Sequence, residues 1–328
     1  MLIQIFRNNN PAFFVFIFLL TAAVFVPSLI GNGISSGAFN ASVFDAVDYF
    51  LTDKSQIILF FNYCLLFILG IILVNMNSKY IIIEHRNYLP AIFFGLFAIS
   101  FSESVKLPYT ALISTMLIAA TSNILEAYKK TKAIKNIFLA AMYISIATLV
   151  FPGAIYYLIL IFIGIAIFRP FILREWMAVI FGAALPFLLL FSITYLLDHN
   201  IIIYRSYFFS NLSSGFDIFS RLSIFNYLFI GIYILAVMIG SYAIMVKSPV
   251  LKIKNKKYFQ YFFFMFLISI ALIFINPAGI FYYFTISFMP VAFLLAYYYS
   301  NTRPRFFTNF FFLIVLLACF VNAYGILF

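Results

Sequence analysis

The sequence predicts an all-α, polytopic integral membrane protein of about eleven transmembrane helices, its N-terminus cytoplasmic and its C-terminus outside. Three observations carry this expectation. The chain is 66% hydrophobic and only 9% charged. Its charges fall into short gaps between apolar runs of about 20 residues, the length that crosses a hydrocarbon core. Lys and Arg concentrate in every second gap, as they do in cytoplasmic loops.

The first span is expected over residues 12–30, after the single basic residue Arg7. No small-x-small cleavage pattern follows it, so it reads as an uncleaved span rather than a signal peptide. The gap that follows opens with Gly, Ser and Asn, then places Phe44, Val47 and Leu51 at helical spacing with Asp45 and Asp48 on another face. That pattern suits a short helix, about 42–54, lying in the outer interface. Further spans are expected over 56–74, 89–101, 109–124, 136–151 and 154–168. The one at 89–101 is short for a bilayer and so reads as shielded by protein or re-entrant. Phe151-Pro152-Gly153 turns the chain into the last of these. Spans at 177–197, 222–246, 260–275, 280–299 and 306–327 complete the set, with Pro186 and Pro290 expected to kink theirs. Between the first two of these lies a second outer segment, 198–221. Asn276-Pro277-Ala278-Gly279 makes a tight outer turn. Residues 1–328 are expected to form one transmembrane domain with no soluble domain.

The charge arithmetic sets the orientation. With the N-terminus inside, all but four of the 20 Lys and Arg fall on the inner side, the exceptions being Lys54, Lys106, Arg205 and Arg221. The acids lean outward: Asp45, Asp48, Asp53, Glu103, Asp198 and Asp217 lie outside, and Glu84, Glu126 and Glu175 inside. The net charge of +11 is thereby explained by inner loops, without nucleic acid. Cys64 and Cys319 fall in apolar runs and behave as small hydrophobes. The 47 Phe and 23 Tyr fit an AT-rich genome, so no aromatic site is read from them.

Candidate functional residues are few. Asp45 and Asp48 share a helix face, an arrangement suited to a general base or a divalent cation. For Asp45, Ser42-x-x-Asp45 also reads as a capping box. Arg205 and Arg221 run against the positive-inside trend, and the planar guanidinium fork suits a phosphate; pairing with Asp198 or Asp217, or solvation, is the alternative. On the inner face, Glu84-His85-Arg86 and the Arg169…Arg174-Glu175-Trp176 connection suit proton handling or lipid headgroups, with interfacial anchoring, Trp176 in an aromatic belt, as the alternative. The Lys247–Lys257 stretch reads as a topology determinant touching anionic lipid. No Walker, GxSxG, HExxH or Cys/His metal spacing is present, and the sequence identifies no cofactor and no metal site.

At Arg86-Asn87-Tyr88-Leu89-Pro90 and Arg169-Pro170-Phe171…Arg174-Glu175-Trp176, followed by Gly182 and Pro186, the chain resembles a family of uncharacterised multi-pass inner-membrane proteins of the Bacteroidetes. The resemblance implies a location, the cell inner membrane, and no activity. In architecture the chain is also similar to the GT-C fold membrane glycosyltransferases, through N-inside topology and an acidic interfacial helix after the first span. That similarity implies a catalytic base at Asp48 or Asp45, a polyprenyl-phosphate-linked sugar as substrate, and its phosphate held by Arg205 and Arg221. The chain departs from the GT-C pattern in lacking a large outer domain and an adjacent acidic pair. The expectation is therefore a cell-envelope protein, GT-C-like and acting on a lipid-linked sugar at the outer face. The alternative is a non-enzymatic scaffold or a lipid or solute transport component. Membrane lipid is the expected partner in either case.

Overall fold

The computed structural model describes residues 55–83, 87–101, 109–196, 223–247, 249, 251–302 and 306–325. The expected first span, the interfacial helix at 42–54 and the segment 198–221 lie outside them. All regular structure among the described residues is helical: α1 (Ser55–Tyr80), α2 (Leu89–Ser100), α3 (Thr110–Glu126), α4 (Ile134–Val150), α5 (Leu158–Phe168), α6 (Leu173–Leu196), α7 (Ile224–Lys247), α8 (Ile253–Ile275), α9 (Ile280–Asn301) and α10 (Phe306–Gly325). A 3₁₀ turn, Pro152–Tyr157, leads into α5, and another, Pro277–Gly279, joins α8 to α9.

Six of these helices, α1 and α6 to α10, are long and apolar enough to cross a membrane, and α2 to α5 are shorter apolar helices. The chain is accordingly a multi-pass membrane protein. Several boundaries differ from expectation. α8 begins at Ile253 rather than near 260, because the Lys-rich stretch is itself helical. Lysine is a good helix former, so a segment too polar for hydrocarbon continues the helix beyond it. The same effect carries α1 on through Lys79 to Tyr80.

Burial is very uneven. The hydrocarbon-crossing window of α9 is 94% buried, whereas that of α6 is 28% buried. α9 packs against α2, α3, α7 and α8. An aromatic residue at nearly every turn of α9 meets a ring from one of its neighbours. Phe284 stacks on Phe101 at 4.9 Å, Phe288 lies 5.7 Å from Phe97, Phe293 stacks on Phe262 at 5.0 Å, and Tyr299 stacks on Phe93 at 5.3 Å. Ser287 exchanges a 2.8 Å hydrogen bond with Tyr233 of α7, and its hydroxyl also returns to the Phe284 carbonyl. Such closure within or between helices is what a polar group needs in an apolar surround.

α2 is the short helix the sequence marks out. Its 12 residues rise only about 18 Å, well short of a hydrocarbon core of about 30 Å. Leu89, Ala91, Ile92, Phe93, Phe94, Leu96, Phe97 and Ala98 are all buried, enclosed by α1, α9 and α10. Protein rather than lipid covers it, as its length requires. α1 buries one stripe, Asn62, Leu66, Leu69, Leu73, Met76 and Tyr80, spaced four and three residues apart in the manner of one helix face.

α6 is held mainly by α4. Gly182 makes that approach possible. A Cβ placed there would stand 2.5 Å from the Phe138 carbonyl oxygen and 3.0 Å from the Ala141 Cβ. Gly182→Val should therefore push the two helices apart and lower stability by about 1–3 kcal/mol. Gly231 of α7 has nothing within 4 Å of such a Cβ. Gly231→Ala should leave stability unchanged or raise it by about 0.5–1 kcal/mol. Thermal unfolding of the two variants in one detergent checks the contrast.

Candidate functional site

Every Lys and Arg among the described residues lies at one end of the bundle. This cationic end gathers the C-termini of α1, α3, α5, α7 and α9 with the N-termini of α4, α6 and α8. Cations at helix C-termini meet the partial negative charge of unpaired carbonyls. Lys247 shows the effect directly, donating to the Asn301 carbonyl at the end of α9 at 2.7 Å.

The most enclosed cation at this end is Arg169, just after α5. Pro170 cannot continue the helix, so the chain breaks here and turns into α6. The Arg169 guanidinium grips Glu175, in the first turn of α6, with two parallel contacts: Nε donates to Oε2 at 2.8 Å, and NH2 lies 2.7 Å from Oε1. NH1 donates to the carbonyls of Ala127, at 2.9 Å, and Lys130. The two side chains are 6% and 2% exposed, so the pair is desolvated. One guanidinium thus ties the α5–α6 turn to the connection between α3 and α4, and satisfies backbone acceptors the helix end leaves open.

Beside it, Glu126 is a hub on the more open side. Oε1 accepts from Lys130 at 2.6 Å and Oε2 from Lys79 of α1 at 2.7 Å. The hydrogen bond from Lys130, then that from Lys79, holds the Glu126 carboxyl down to about 2. Between the two clusters sits an aromatic box. Tyr258 donates to the Leu125 carbonyl at 3.0 Å and meets the rings of Tyr128, Phe168 and Tyr80 edge-on at 5.8, 5.6 and 6.4 Å. Lys254 lies over Tyr258 at 5.4 Å, and Lys129 and Lys257 each lie 5.8 Å from the centre of the Tyr128 ring. These cations are drawn to the negative ring faces. Trp176 is half-buried between Phe162 and Phe171, with ring centres 5.1 and 5.2 Å away.

Of the residues singled out in the sequence, Asp45, Asp48, Arg86, Arg205 and Arg221 lie outside the described residues. Arg169 and Arg174 are described, and the structure does not bring them together: Arg169 turns inward onto Glu175, whereas Arg174 is exposed. The hub at Glu126 was not singled out. The i,i+4 spacing from Glu126 to Lys130 was the available signal; the bond to Lys79, 47 residues away, had none.

Removing one partner of a buried, hydrogen-bonded ion pair costs about 3–5 kcal/mol, because the other charge stays buried. Arg169→Gln should lower stability on that scale. Arg169→Lys should not restore it, since an ammonium cannot span the carboxylate and two carbonyls at once. Thermal unfolding in detergent reads both. Glu126 adds a pH signature. Its folded-state pKa lies below the ordinary 4.5, so its contribution is present above pH 4.5 and is lost as the pH falls toward 2. Wild type should lose more thermal stability than Glu126→Gln across that window.

Comparison with protein-family models, with curated proteins and with solved structures finds no match to this chain, so the site is read from its own residues.

Proposed function

We propose that this chain is a non-enzymatic component of the cell envelope, a lipid-embedded scaffold or lipid-transport subunit, with its cationic end in the cytoplasm. One observation carries the reading. Both carboxylates among the described residues are spent on cations, and the guanidinium between them on helix-end carbonyls as well: Glu126 on Lys79 and Lys130, Glu175 on Arg169, and Arg169 also on Ala127 and Lys130. A carboxyl held near 2 between two lysines is a poor general base at neutral pH. The grouping of described cations at one end supports the orientation, since cytoplasmic loops collect Lys and Arg.

A GT-C-like glycosyltransferase acting at the outer face is the competing reading, and it rests on sequence alone. It needs Asp48 as base, Asp45 as its alternate or partner, and Arg205 and Arg221 on the lipid phosphate. The deciding experiment compares a deletion strain with strains expressing Asp48→Asn, Asp45→Asn and the double variant at matched level. Under the scaffold reading all three complement fully and no polyprenyl-linked sugar accumulates in the deletion. Loss of complementation together with such accumulation would replace it by the enzyme reading, for which a rate loss of roughly 10²–10⁴-fold is the expected scale.

A further inference from the structure

α7 and α8 both pack on α9, and between them a groove of about 430 Å³ opens at the cationic end. Leu294 of α9, 1% exposed, lines it at the centre of the bundle. Met245 of α7 and Phe263 and Phe264 of α8 supply apolar walls. Its polar groups are graded along its length. On α8, Lys256 stands one turn nearer the cationic end than Gln260, and Phe263 and Phe264 follow one turn deeper. Residues at this i, i+4 and i, i+7 spacing share one helix face. Ser241 of α7 is the remaining hydroxyl.

Lys256 differs from its neighbours. Lys254 and Lys257 lie over tyrosine rings, and Lys247 binds the Asn301 carbonyl. The Lys256 ammonium is exposed and makes no ion pair, hydrogen bond or ring contact among the described residues. Among the described residues no carboxylate lines the groove, and the described acids Glu126 and Glu175 are engaged elsewhere. A narrow apolar slot with a free cation and an amide at its mouth is complementary to an amphiphile with an anionic head. The volume falls within the roughly 300–1,000 Å³ of ligand sites.

We propose that this groove binds a membrane phospholipid of net negative charge, its phosphate on the Lys256 ammonium and the Gln260 amide and an acyl chain along Met245, Phe263 and Leu294. The site goes beyond the scaffold reading and stands apart from it, because an enzyme could carry the same lipid. Native mass spectrometry of the full chain in a neutral detergent tests it, with dioleoyl phosphatidylglycerol and dioleoyl phosphatidylcholine added separately at equal concentration. Wild type should retain phosphatidylglycerol preferentially. Lys256→Gln should lose about fivefold of that preference, the scale of one lysine at an anionic surface. Lys132→Gln removes the same charge from the same end, away from the groove, and should retain the preference. Met245→Trp keeps the charge and blocks the slot, and should weaken both lipids. Glycerol phosphate, which lacks the chains, should not compete. Equal loss in Lys256→Gln and Lys132→Gln would reduce the effect to diffuse charge attraction and overturn the proposal. Undiminished phosphatidylglycerol binding by Met245→Trp, or displacement by glycerol phosphate, would overturn it as well.

Discussion

The enclosure of α9 is the constraint on which the described bundle depends. In a bilayer no hydrophobic force drives one apolar helix against another, since lipid tails are as apolar as the side chains they touch. A helix whose hydrocarbon-crossing window is 94% buried must be held by packing and by hydrogen-bonded polar groups. α9 has both. Its rings meet rings from α2, α7 and α8, the hydroxyls of Thr285, Ser287 and Ser300 close onto its own carbonyls, Ser287 also meets Tyr233, and Lys247 closes its last turn. α2 can be short only because α9 and α10 stand where lipid would otherwise reach it.

The aromatic excess takes on a structural meaning in this light. Composition alone attributes 47 phenylalanines to genome bias, and that account is still sufficient for their number. Their placement is another matter. Phe97, Phe101, Phe229, Tyr233, Phe284 and Phe288 form a continuous set of ring contacts, with centres 4.9 to 6.3 Å apart, where α2, α7 and α9 meet. Edge-on and stacked pairs in such sets add directional preference to shape.

Much of this fold was legible in the sequence, because hydropathy reports what lipid tolerates. The Pro277 turn and the short helix near 89–101 appear where they were expected. Hydropathy cannot tell lipid from protein interior, however, and so α9 and α6 look alike as strings although one is enclosed and the other faces outward. Nor does it mark a helix that runs on past the hydrocarbon, which is why α8 begins at Ile253 and not near 260. The site was less legible. Arg169 and Glu175 are six residues apart across a proline turn, and no periodicity announces their pairing. The groove at Lys256 belongs to three helices at once. The acidic pair at Asp45 and Asp48 lies outside the described residues, and its standing still rests on the sequence.

The unbroken run of α8 from its lysines into its apolar length also makes it a depth gauge. From Tyr258 to Ile275 the helix rises about 27 Å, and the ammonium groups of Lys254, Lys256 and Lys257 sit rigidly on the turns just before. A flexible loop would let those charges stay in water whatever the thickness of the bilayer. A stiff helix does not, so a thicker membrane draws them toward the acyl region and a thinner one lifts the aromatic turns out. The protein should tilt, or partition, according to the thickness of the membrane around it.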